Sequence, residues 1–241
     1  MHRVFLFLSC LFVVNLGLSV YAPAQDFFYI EPFVSIFYSQ TAGQNYNSRN
    51  QGTLLSQTNL GFGFQERENF HTGWAILAKQ ELSQVQYYND PTANINFRQN
   101  IYSDLNLGIG NNNEGLNLFE YSIHLGVKER AFFDVDTINV RGIDKFFVDY
   151  FRFQIYRRIF ENSSKNRFGV GLSGDYLLGM HRSNYNVNDG NSFLFLLRWE
   201  RMVGNNLLNL EFGYQTTIQN TNLDSLTEQI YYLQALFSNV F

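Results

Sequence analysis

Ten times along this chain, large apolar side chains recur at every second position while the positions between them are polar, small or charged. Alternate residues of an extended strand point to opposite faces, so each segment reads as a strand with one greasy face and one wet face. Phe119, Tyr121, Ile123, Leu125 and Val127 stand against Glu120, Ser122, His124 and Lys128. Phe147, Phe151, Phe153 and Ile155 likewise oppose Tyr150, Arg152, Gln154 and Arg158. The interior of a soluble sandwich would have to hold those charges unpaired if they faced inward, at high desolvation cost. A closed sheet in lipid accommodates both faces, because its apolar side meets hydrocarbon and its polar side lines a lumen. Aromatic residues make up 17% of the chain, yet mean hydropathy is only -0.20, which fits strands that are apolar on one face alone.

The connections follow a second alternation. Long polar stretches at Gln40 to Ser56, Tyr88 to Phe97, Ala131 to Asp144, Arg182 to Asn191 and Gln219 to Gln229 interleave with short ones at Glu66 to Phe70, Asn111 to Gly115, Glu161 to Asn166 and Gly204 to Asn206. Long surface loops at one end and tight Asn- and Gly-rich turns at the other are the pattern of an up-and-down membrane barrel. The expected fold is all-β: a transmembrane antiparallel up-and-down β-barrel of about ten strands, with eight or twelve as the neighbouring even counts.

The two ends of the chain agree with this. Met1, His2 and Arg3 form a basic start, an apolar run follows from Val4 to Val14, and Ala22-Pro23-Ala24 is an A-x-A-like cleavage site. Residues 1–24 therefore read as a signal peptide and 25–241 as one barrel domain. Cleavage removes Cys10, the only cysteine, and Arg3, leaving a thiol-free chain one unit more negative than its formal charge of -4. That balance argues against nucleic acid as a partner. At the other end Tyr231, Leu233, Ala235, Phe237, Asn239 and Phe241 alternate to the last residue. The terminal Phe241 resembles the C-terminal signature of bacterial outer-membrane β-barrels. The resemblance implies an outer-membrane location, contact with lipid and lipopolysaccharide, and Phe241 as the signal read by the barrel-assembly machinery after passage with periplasmic chaperones.

The wet faces place Glu31, Lys79, Glu81, Asp104, Glu120, Lys128, Arg152, Arg158, Asp175, Arg198, Glu200 and Glu211 in the lumen. Mixed signs favour a paired network that obstructs flow over a selective filter, which would carry one sign. The expected function is therefore a non-enzymatic barrel: a narrow pore, or a structural or surface-contact protein acting through its long loops. The alternative comes from His181-Arg182-Ser183-Asn184, followed by Asn188-Asp189-Gly190. This string resembles the His-x-Ser-Asn segment of the lipid A deacylases, which implies acyl hydrolysis with His181 and Ser183 as catalytic residues near the extracellular rim. By parity both residues share a face with Asp175, toward the lumen. Asp134-Val135-Asp136 resembles the rim carboxylates of omptin proteases, but no Asp-x-His accompanies it. His71 and His124 have no ligand-spaced companions, and no glycine loop suits a phosphate, so neither metal nor cofactor is expected.

Overall fold

The computed structural model describes residues 27–70, 74–89, 98–111, 119–136, 139–162, 166–181, 186–203 and 206–240. The leader, residues 1–24, and the terminal Phe241 lie outside them. Twelve strand segments form a single antiparallel sheet: β1 (Phe27–Asn45), β2 (Gln51–Ser56), β3 (Asn59–Asn69), β4 (Trp74–Asn89), β5 (Arg98–Asn111), β6 (Phe119–Asp136), β7 (Asn139–Glu161), β8 (Asn166–Leu177), β9 (Met180–His181), β10 (Asn186–Val203), β11 (Asn206–Thr221) and β12 (Asp224–Val240). β2 and β3 are successive pieces of one stave, since both pair with β1 on one side and β4 on the other. β9 continues β8 along β10. The segments thus make ten staves, and the sheet closes on itself where β1 pairs with β12, from Tyr29↔Val240 to Asn45↔Asp224.

Outward side chains form an apolar girdle that includes Val34, Phe62, Ile123, Leu125, Phe151, Phe153, Leu172, Phe212 and Leu233, all exposed. In water such a surface would drive association; in a bilayer it faces its own kind. The staves are longer than the girdle needs. β7 has 23 residues, which at a tilt of about 40° rise roughly 55 Å, about twice the apolar band of a membrane barrel. The surplus lies away from the chain termini, where outward positions are polar, as at Gln40, Gln44, Gln51 and Gln84.

That surplus corrects the expectation of long loops. Gln40 to Asn45 and Gln51 to Ser56 are strand, joined by a five-residue turn in which Asn45 Oδ1 accepts from the N–H groups of Asn47 and Ser48, both at 3.0 Å. Ala131 to Asp136, Asn139 to Asp144 and Asp224 to Gln229 are strand as well. Beyond the girdle the outer face meets water, so its residues turn polar and the sequence alternation that marks a strand fades.

At the far end the interior is apolar. Leu54, Val85, Tyr87, Phe132, Phe133, Val148, Leu177, Val187 and Leu226 belong to one buried cluster, and the Cα atoms of β1 and β6, and of β2 and β7, come within 8 Å across the barrel. The tube is flattened there like a sandwich.

Nearer the middle, inward aromatic rings lie flat over glycines of the paired strand: Tyr232 over Gly213, Tyr150 over Gly126 and Phe33 over Gly63. A Cβ on Gly213 would sit 2.1 Å from the Tyr232 ring, and one on Gly126 2.5 Å from Tyr150. Glycine is required at these positions for close approach. Gly213→Ala is accordingly expected to displace Tyr232 and cost about 1–3 kcal/mol, read as a lowered urea midpoint in reversible folding into micelles; an unchanged midpoint would contradict this packing.

Candidate functional site

The interior between the terminal rim and the apolar core is a ladder of ion pairs. Nearest the termini, Arg158 Nε donates to Glu200 Oε2 at 2.8 Å while its Nη1 meets Glu120, which also accepts from Arg67 at 3.3 Å. Arg198 Nε reaches Glu211 at 2.7 Å. Glu31 is held by neutral donors: Gln65 Nε2 at 2.9 Å, Asn209 Nδ2 at 3.4 Å and the Ser238 hydroxyl. Higher up, Lys79 pairs with Glu81 at 3.1 Å. Asp175 takes both Arg152, at 2.7 Å, and Lys128, at 3.0 Å, and Asp104 accepts from the Tyr150 hydroxyl at 2.7 Å. The twelve charged residues read toward the lumen are each buried or half-buried, and each makes one or more of these contacts.

Sequence reading missed Arg67 and Glu228, because it assigned their segments to a turn and a loop, and Arg130, which lies between Lys128, the last residue read on its strand, and the loop read from Ala131. Arg130 donates to Gln219 at 2.6 Å and to Glu228 at 2.9 Å, spanning the barrel from β6 to β11 and β12. Simple parity would have found them: Arg130 continues Lys128 on β6, and Arg67 continues Gln65 on β3.

Tyr150 separates the ladder from the apolar core. It is 2% exposed, and its ring is flanked by Lys128 Nζ and by the Arg152 guanidinium, each 4.9 Å from the centroid. These two cation–π contacts hold the ring in place. Cavities remain among the described interior residues. One, of about 180 Å³, lies beside the apolar core and is lined by residues including Tyr102, Glu129 and Glu228. A smaller one, of about 90 Å³, includes Asn106, His124 and Gln154. Lys79, Arg152, Leu194, Tyr232 and Gln234 border both. His124 faces Ser122 across 2.7 Å. Among the described residues, no group of three or more His, Cys, Asp or Glu side chains is arranged to hold a metal ion.

His181 does not face the lumen, and this corrects the parity argument. Leu177 is buried, Leu178 and Gly179 are both exposed, Met180 packs against the apolar core, and His181 is exposed. Two successive outward residues opposite Asn188 and Asp189 reverse the alternation, so His181 leaves the barrel on its outer side. Its Nδ1 lies 2.9 Å from Asn186 Oδ1. Nearby, Asp189 accepts from the Tyr176 hydroxyl and, at 2.7 Å, from the Gly179 N–H. These bonds hold the Asp189 carboxyl below the usual carboxylate range. Ser183 lies outside the described residues, as do the side chains of Asp134 and Asp136.

Against solved structures, the chain is similar to the outer membrane protease OmpT from Escherichia coli, at a TM-score of 0.51 and 9% identity over 92% of this chain and 99% of that one. The fold is that of a bacterial outer-membrane β-barrel. The COG4313 outer membrane channel from Pseudomonas putida F1 is also similar, at a TM-score of 0.48 and 8% identity over 92% and 97% of the two chains. No protein-family model and no curated protein matches the sequence. The shared fold fits the girdle and the ring closure.

Glu200 is 1% exposed and serves Arg158 directly. Removing one partner of a buried pair strands the other charge, so Glu200→Ala is expected to cost about 3–5 kcal/mol. Replacing Arg158 and Glu200 together with Met is expected to cost less than the single change. Urea unfolding of both variants checks this; a single change as mild as the double would show the pair to be idle.

Proposed function

We propose that this protein is a non-enzymatic outer-membrane barrel sealed along its axis, a structural body embedded in lipid and lipopolysaccharide. The observation supporting this is the double obstruction of the lumen. Paired charges fill the half near the termini, and beyond Tyr150 the barrel is flattened around an apolar core. An ion crossing would have to open salt bridges in the first half and then pass a packed apolar cluster whose nearby charges, Arg130 and Glu228, already pair with each other. The alternative of a selective filter would call for one sign of charge around an open ring. Here the Asp175 carboxylate is taken by Arg152 and Lys128, and Arg130 by Glu228. Surface contact through long loops loses support, because most of those segments are strand. Assembly by the outer-membrane insertion machinery through Phe241 remains part of the proposal.

A second reading, acyl hydrolysis at the outer leaflet, draws on one observation: His181 faces outward, as a lipid-cleaving base must. Planar-bilayer recordings of the refolded protein should show no discrete conductance steps, and lipid A from expressing cells should keep its full acyl complement by mass spectrometry. Regular conductance steps would overturn the sealed barrel. An acyl chain lost with the wild type and retained with Ser183→Ala would establish the hydrolase instead.

A further inference from the structure

We propose that the barrel has a side portal between β5 and β6, latched by Glu129 and Lys145, through which a small uncharged aromatic molecule with one hydrogen-bonding group reaches the larger interior cavity. The proposal rests on the axially sealed reading, since a sealed lumen leaves the wall as the way in. β5 and β6 are paired from Gly110↔Ser122 to Asp104↔Lys128, and among the described residues the ladder ends there. Both strands continue: β5 stays on β4 as far as Tyr87↔Arg98, and β6 stays on β7 as far as Asp136↔Asn139. Each is held by its other neighbour while the two part.

Side chains occupy the backbone groups freed at the fork. The Ser103 N–H donates to Glu129 Oε2 at 3.0 Å, and Lys145 Nζ reaches across from β7 to the Ile101 carbonyl at 2.6 Å. Lys145 also pairs with Glu129 at 3.0 Å and lies 5.5 Å from the Tyr102 ring centroid. The lysine is about one-third exposed, and such a pair is worth little in water. It is a latch that opens readily, unlike a ladder bond buried in lipid.

The cavity of about 180 Å³ lies directly behind this fork, for Tyr102, Ser103, Glu129 and Ala131 are among its walls. The fork also sits at the upper edge of the girdle. Leu125↔Phe151 is an apolar outward row, the next row carries Asp149, and Glu129 and Lys145 follow above it. A molecule collected at the membrane–water boundary meets the latch without crossing either seal. The cavity's charges are engaged: Lys79 with Glu81, Arg152 and Lys128 with Asp175, Arg130 with Glu228, Glu129 with Lys145, and Asp104 with the Tyr150 hydroxyl. A charged guest would have to displace one of these partners, whereas Phe37, Val85, Tyr87, Leu194 and Ile230 offer apolar and ring surface. An uncharged aromatic guest with a single polar group suits both.

Indole is the probe, and the mature protein refolded in micelles is the sample. Saturable binding by calorimetry is expected, weakened at least tenfold by Leu194→Trp, which fills the cavity without touching the latch. Ser103→Cys with Glu129→Cys places two thiols on the next rung of the fork. Once oxidised, this variant should take up indole at least tenfold more slowly, and a reductant should restore the rate. Glu129→Ala should quicken uptake. No saturable binding, no response to Leu194→Trp, or equal rates in the oxidised and reduced forms would each overturn the portal. Equal rates together with conductance in planar bilayers would overturn the axial seal as well; equal rates without conductance would remove the portal alone.

Discussion

A backbone N–H or C=O left unpaired in hydrocarbon costs several kcal/mol, because no water is present to replace the missing bond. The architecture follows from meeting that demand. Each stave is bonded on both edges through the girdle, and the β1–β12 seam joins the two ends of the chain into a ring. Where side chains stand in for ladder bonds, they do so at the edges of the girdle or beyond them. Ser56 accepts from the Ser39 N–H, Asn111 bridges to Tyr121 and Phe119, and Glu129 accepts from the Ser103 N–H. The fork between β5 and β6 belongs to the same rule: a sheet can part only where its freed groups find water or a polar side chain.

Closing ten staves creates an interior that must be filled, and two chemistries fill it. Toward the termini, opposite charges neutralise each other across the lumen; toward the far rim, apolar side chains pack against one another. Tyr150 belongs to both, with two cations against its ring and its hydroxyl on Asp104. Glycines opposite Tyr232, Tyr150 and Phe33 let aromatic rings lie along the wall where larger residues would collide. The same filling that stabilises the barrel obstructs its axis, so stability and closure have one cause.

Much of this was legible in the chain. Alternation at Phe119–Lys128 and at Phe147–Arg158 assigned faces correctly because, inside the girdle, lipid on one side and a wet lumen on the other impose a strict two-residue period. That period fails beyond the girdle. Gln40 and Gln44 face water there while Thr41 and Gly43 turn inward, so a strand reads as a loop. Arg130 and Glu228 were hidden for this reason, although continued parity from Lys128 and Gln234 leads to them. His181 was misplaced by a different effect: Leu178 and Gly179 both face outward, and sequence parity carries no signal for such a slip. The fork was illegible altogether, since which strands remain bonded above Asp104 is a property of register rather than of composition.

Residue-resolved amide hydrogen exchange on the refolded barrel tests the closed ring and the β5–β6 fork together. The account predicts strong protection for Leu105 to Gly110 and for the β1–β12 seam, with Ile101 exchanging fast and Ser103 joining it when Glu129 is replaced by alanine. Uniform protection of β5 on its β6 side would contradict the fork, and rapid exchange along the seam would contradict the ring itself.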